Sequence, residues 1–310
     1  MLSYPKLNML VILAASCHCT LKVLCLHIVV LHVDSEDAAG GFWKLRFPAL
    51  QALEITYIDG DLLEPRNDVT DFFLAHANTL QRLTFDYPSS SNEFSPVEVG
   101  FVDFGGKLML RSLATDEDTL DNIVEQFWDS ISPTLTHLHI FPHQENYMWD
   151  FGVGPFENMI DTVTGGGDFV PAFPYLEHFR LTLNFDYGSQ RSAEERGEGT
   201  GEMLLLFQQL SKFSGPKLRE MTFSCPRFPI TALELASAFE SFPTLEKITI
   251  EDELIGEDST REDFALALAA VCPLLKEVIF MPADYSDHLS PRNASQQRQG
   301  PFLHVPIEKS

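Results

Sequence analysis

Positive charge is scarce in this sequence. Its 310 residues carry 21 Lys and Arg against 45 Asp and Glu, a formal net charge of −24 at pH 7. Such a charge repels phosphates and works against non-specific binding to DNA, RNA or anionic lipid. Cysteine is also sparse. Cys17, Cys19, Cys25, Cys225 and Cys272 make an odd number, and three of them crowd the first 25 residues. A disulfide framework is denser and more evenly spread, so the thiols are expected to be reduced, in the cytosol or nucleus. No uninterrupted apolar run approaches the ~18 residues of a membrane helix. The run from Leu21 to Val33 is broken by Lys22, His27 and His32. Lys6 followed by Leu7 to Ala15 has the outline of a secretory signal. The same segment fits a pattern that recurs through the chain, and we read it as a strand of that pattern.

Catalytic signatures are equally thin. Gly152-Val153-Gly154-Pro155 and Gly197-Glu198-Gly199-Thr200-Gly201 lack the spacing and the Gly-Lys-Ser/Thr ending of a phosphate-binding loop. Asp116-Glu117-Asp118, Glu251-Asp252-Glu253 and Glu257-Asp258 read as solvated turns and helix starts, without the alternating oxygen ligands of a calcium loop. No serine sits in a nucleophile elbow. Cys17-His18-Cys19 lacks a second ligand pair at zinc spacing. We therefore expect no catalytic residue, no metal and no cofactor.

What the sequence has is apolar residues, 45% of the chain, including 25 Phe. That excludes a wholly disordered chain and supplies a large core or a long array. The apolar residues recur in one phrase: leucine, two residues, apolar, one residue, apolar. It reads Leu50-Leu53-Ile55, Leu80-Leu83-Phe85, Leu135-Leu138-Ile140, Leu176-Phe179-Leu181, Leu218-Met221-Phe223, Leu245-Ile248-Ile250 and Leu275-Val278-Phe280. Leu110-Leu113 follows it with Thr115 in third place, and Leu7-Leu10-Ile12 and Leu21-Leu24-Leu26 are earlier copies. Gaps between the leading leucines are 14, 29, 30, 30, 25, 41, 42, 27 and 30 residues.

A proline often precedes the leucine, as in Phe47-Pro48, Ser132-Pro133, Phe173-Pro174, Phe242-Pro243 and Cys272-Pro273. Proline ends a helix and opens an extended segment. Amphipathic stretches lie upstream at Asp68–Ala77, Thr119–Ile131, Met203–Phe213, Ala232–Phe239 and Arg261–Val271, with Asp68, Thr119 and Thr260 as expected N-caps. A unit of helix, proline turn and short strand cannot bury its own apolar face, but stacked units can. The predicted fold is an α/β solenoid over residues 1–282, with a parallel sheet on the concave side and helices on the convex side. The two long gaps carry insertions near residues 142–171 and 186–202. Residues 283–310 are polar and expected to be disordered. No linker divides the array.

This pattern resembles the leucine-rich repeat in its long, ribonuclease-inhibitor-like form, over about residues 4–282. It departs from that consensus eight residues after the leading leucine, where Ile58, Pro88, His143 and Glu253 replace the expected Asn or Cys. Phrases such as Thr20-Leu21-Lys22-Val23-Leu24-Cys25-Leu26 and Phe242-Pro243-Thr244-Leu245-Glu246-Lys247-Ile248 resemble the degenerate repeats of fungal F-box proteins. The resemblance implies a protein-binding module, the substrate-recognition part of a ubiquitin ligase. Met1 to Leu13 shows nothing like the Leu-Pro-x-Glu opening of an F-box, so docking on the ligase adaptor is expected only if an F-box lies upstream. A free-standing repeat scaffold and a secreted recognition protein are the alternatives.

Alternation along a strand then places the candidate site. If Leu138 and Ile140 point inward, His137, His139 and Phe141 face the concave surface, and His178, Arg180 and Thr182 follow in the next repeat. Strands lie ~4.8 Å apart, which puts His137 beside His178 and His139 beside Arg180. Arg82, Thr84, Asp86, Glu220, Thr222, Ser224, Lys247, Thr249, Glu251, Glu277 and Met281 extend the same face. His137, His139, Phe141, His178, Arg180, Arg82 and Lys247 are the candidate partner contacts. The competing reading is a set of solvent-facing polar residues with no joint role. Zinc is disfavoured because Arg180 would repel it. The loop Tyr147-Met148-Trp149 is either a further anchor or packed on its own repeat.

Overall fold

A computed structural model describes residues 16, 19–28, 44–57, 66–86, 108–116, 131–141, 173–182, 207–208, 210–211, 217–224, 232–251, 260–281 and 303–307. The chain divides into two compact units, one running to Leu135 and the other starting at Thr136. No linker in the sequence marks this division.

The first unit holds strands β1 (Val23–Ile28), β2 (Ala52–Tyr57), β3 (Arg82–Asp86) and β4 (Ser112–Asp116), with helix α1 (Arg66–His76) between β2 and β3. The strands are parallel, and the repeated phrase sets their register. Leu24, Leu53, Leu83 and Leu113 align across the sheet. In the next inward row Thr115 lies beside Phe85, and it is fully buried in spite of its hydroxyl. Behind the sheet, Phe72 of α1 meets Phe47 edge-on at 6.2 Å.

The second unit holds β5 (His137–Phe141), β6 (His178–Thr182), β7 (Glu220–Ser224), β8 (Lys247–Glu251), β9 (Glu277–Met281) and β10 (Leu303–Pro306). Helices α2 (Ala232–Ala238) and α3 (Arg261–Val271) precede β8 and β9 and pack side by side. Leu138, Phe179, Met221, Ile248 and Val278 form one buried row, and Ile140, Leu181, Phe223, Ile250 and Phe280 the next. Burying each such side chain stabilises the unit by roughly 1.5–3 kcal/mol. Phe264 of α3 stands 6.3 Å from Phe280, which fixes the helices to the face that bears these rows.

A turn recurs before six of the strands. The leading leucine's N–H bonds the carbonyl of a buried lead-in residue: Phe47 for Leu50, His76 for Leu80, Ile131 for Leu135, Phe173 for Leu176, Phe242 for Leu245 and Cys272 for Leu275. Thr134 and Thr244, next to the leading leucine, donate across repeats. Their hydroxyls reach the carbonyls of Leu110 and Leu218, each at 2.7 Å. These ties bridge neighbouring repeats.

Two expectations are corrected here. Leu303–Pro306, inside the tail expected to be disordered, forms β10 and pairs antiparallel with β9. Leu-His-Val-Pro-Ile alternates apolar residues, which suits an extended strand, and β9 offers an edge to pair with. Asp68 does not cap α1, which begins two residues earlier at Arg66. Thr260 does cap α3: its hydroxyl oxygen accepts from the N–H of Asp263 at 3.1 Å. Leu7 to Ile12, the insertions near 142–171 and 186–202, and the loop at Tyr147 lie outside the described residues. Among those residues no helix is long and apolar enough to cross a membrane.

Candidate functional site

Alternation leaves one face of the second unit's sheet turned away from the helices. Its first row, at the start of each strand, reads His137, His178, Glu220, Lys247 and Glu277. The second row is His139, Arg180, Thr222, Thr249 and Ile279. A third row, at the strand ends, is Phe141, Thr182, Ser224, Glu251 and Met281.

The first row is tied together in pairs. The imidazoles of His137 and His178 stack with centroids 4.1 Å apart and planes 14° from parallel. Nδ1 of His178 lies 3.3 Å from Oε2 of Glu220, an ion pair whenever that imidazole is protonated. Nζ of Lys247 lies 3.9 Å from Oε2 of Glu277. Next to this row, Glu246 bridges Arg219, at 3.7 Å, and Lys276. The hydrogen bond from Lys276 holds the Glu246 carboxyl below its ordinary range. Opposite charges therefore alternate from strand to strand. Exposed pairs of this kind stabilise little singly.

The second row carries the polar centre. His139 and Arg180 lie side by side in register, both half-buried. Nε2 of His139 is 3.5 Å from the Thr182 hydroxyl, and its ring packs 5.3 Å from Phe141. Burial holds His139 well below its ordinary value of 6.5, and the Arg180 charge adds to the shift. His139 is accordingly a neutral imidazole at pH 7, able both to donate and to accept. His137 is also lowered, first by desolvation and then by His178, against the opposite pull of Glu177 and Glu220. The Nε and Nη2 atoms of Arg180 are shielded from solvent.

Of the expected contacts, the sheet brings His137, His139, His178 and Arg180 into one cluster. Lys247 sits two strands from His178, engaged by Glu277. Arg82 is exposed but belongs to the first unit. Phe141 is corrected: it shares a face with His139 but is 3% exposed and not an open contact. Thr182, Ser224 and Met281, also expected outward, are likewise buried. These four residues of the third row are thus covered, and the accessible face is narrower than alternation alone implies.

Sequence reading placed Glu220 on this face but did not pair it with His178; their matching positions in successive phrases were the available signal. It missed His76 altogether. His76, in the first unit, is buried among Phe47 and Phe72. Its Nδ1 lies 2.6 Å from the Phe72 carbonyl oxygen, and its Nε2 accepts the Phe47 N–H at 2.9 Å. Among the described residues, no three His, Cys, Asp or Glu side chains converge as a metal set. Burial pushes the Cys272 thiol up to about 12, which makes it a poor nucleophile.

No family model and no curated protein matches this chain. A similar solved structure is the leucine-rich repeat-containing protein LegL7 from Legionella pneumophila, 12% identical, with a TM-score of 0.48 over 81% of this chain and 71% of that one. A likeness at that level decides nothing about activity. The description of the fold rests on the register and layering above.

Proposed function

We propose that the second unit is a protein-binding module and that its sheet face, centred on His137, His139, His178 and Arg180, contacts the partner. One observation carries this reading. Four polar side chains of two neighbouring strands lie in register, with His137 stacked on His178 and His139 beside Arg180, on a face that the helices leave open. Repeat arrays recognise partners over such faces, and ring and guanidinium groups are favoured contacts. No catalytic step is part of the reading.

The finer form of the proposal is a substrate receptor of an F-box-type ubiquitin ligase, residing in the cytosol or nucleus. Its support is the likeness of the repeat phrases around Leu21 and Leu245 to fungal F-box proteins. Replacing His137, His139 and Arg180 by Ala together should leave circular dichroism unchanged and reduce capture of the native partners at least tenfold. Equal capture by a folded variant would sink the binding face. Co-purification of the ligase adaptor with the longest native form of the chain tests the finer reading separately, and its absence would remove the ligase role while leaving the binding face intact.

A further inference from the structure

We infer that the stacked pair His137–His178 is a proton-operated switch in the sheet face of the second unit: it keeps its stack with at most one proton, and a second proton parts the rings. The two imidazoles lie in register on neighbouring strands, with centroids 4.1 Å apart and planes 14° from parallel. A neutral ring is a good seat for a cationic one, because the positive charge lies over the π face. Two cationic rings so placed repel, so the pair cannot fill with protons as two independent sites. What the switch does to a partner rests on the reading of this face as the binding one; the switch itself does not.

The surroundings decide which ring takes the first proton. Nδ1 of His178 lies 3.3 Å from Oε2 of Glu220, so a proton on His178 gains an ion pair. Nδ1 of His137 lies 2.8 Å from the Thr136 hydroxyl, which can donate to a neutral ring and carries no charge. The first proton therefore belongs on His178 and the second on His137. Desolvation and then His178 lower the pKa of His137 in the same sense, against Glu177 and Glu220. The other charged groups nearby on the described strands are engaged elsewhere or do not titrate here. Arg180 stands beside His139, which burial keeps neutral, and Arg219 lies 3.7 Å from Glu246. Lys247 is engaged by Glu277. In the repeat before β5 the phrase position matching His137 is Ser112, which has no proton to exchange.

The two states offer different surfaces. With one proton or none, the pair is a flat plate at the start of β5 and β6. With two, the exposed His137 ring turns away and both rings present charge to solvent. A partner seated on the plate then loses the surface it fits. Capture that depends on the plate weakens as pH falls through the second step.

The test is an NMR titration of the full chain with isotope-labelled imidazole carbons, between about pH 8.5 and 5. His137→Gln and His178→Gln assign the two resonances among the 10 histidines. His178 should take its proton first, with His137 neutral until at least about one pH unit lower. The ring-current displacement of both Cε1 protons should persist through the first step and collapse as His137 begins to titrate. In His178→Gln the His137 midpoint should rise by at least about half a unit, since the competing charge is gone. In Glu220→Gln the His178 step should move down, since its counter-charge is gone. An unchanged His137 midpoint in His178→Gln overturns the switch. So does a first proton on His137, or a ring-current displacement retained after both rings are charged. No partner enters these readouts, so a failed switch leaves the binding face standing. Equal partner capture by the folded His137, His139 and Arg180 triple variant sinks the face and leaves the titration untouched.

Discussion

At the scale of single residues, polar groups do structural work inside this fold. The Thr244 hydroxyl donates to the Leu218 carbonyl in the preceding repeat. Thr244→Val keeps the shape and removes the donor. It should cost roughly 1 kcal/mol, read as a lower urea midpoint with an unchanged slope. His76 does comparable work in the first unit. Its pKa is lowered from 6.5 mainly by burial, against the pull of the Phe72 carbonyl, with the Arg46 charge lowering it further. As pH falls through 6.5 the unfolded chain takes up the proton first, so stability present above that value is lost below it. The many carboxylates relax their mutual repulsion over the same range, which pulls the opposite way. Comparison with His76→Gln isolates the histidine. The stability gap between wild type and variant should narrow from pH 7.5 to 5, and a constant gap would show that His76 does not titrate with folding.

At the scale of elements, β2, β3, β5, β6, β8 and β9 share three features acting together: a buried lead-in residue, a leading leucine and the alternating apolar pair. The lead-in carbonyl closes the turn, and the leucine fills the core beneath it. Leu138 lies in the middle of such a strand and is 1% exposed. Leu138→Ala should destabilise the second unit by roughly 2–5 kcal/mol, because the tightly packed row cannot collapse onto the cavity. Helix α3 is held at its start by Thr260. Thr260→Ala should cost about 1 kcal/mol and speed amide exchange in the first turn, with little change at Leu268. Uniform protection across α3 in that variant would mean that packing alone sets the helix start.

At the scale of the whole molecule, charge and surface decide what the protein meets. A formal charge of −24 is spread over the chain, while along the first row of β5–β9 the charged side chains have partners, Glu220 beside His178 and Lys247 beside Glu277. Binding at that row is therefore expected to depend on fit and hydrogen bonding more than on long-range attraction. The chain should show no retention on immobilised duplex DNA at ~0.15 M salt. Retention there would mean that a basic surface outweighs the net charge.

Much of this architecture is legible in the sequence because the information is local. The position of Leu within each phrase fixes which residues point inward, and inward rows in neighbouring repeats must align to close the core. That is why His137 and His178, or His139 and Arg180, can be placed side by side from spacing alone. Tertiary structure decided what spacing does not encode. Alternation assigns Phe141, Ser224 and Met281 to the outer face, but not whether anything covers them there. Periodicity marks His76 as one residue of a helix, but the hydrogen bond at its Nε2 requires Phe47, 29 residues away. The pairing of 303–307 with β9 is likewise a long-range event. An edge strand accepts any suitable partner, and only the folded chain shows which segment reaches it.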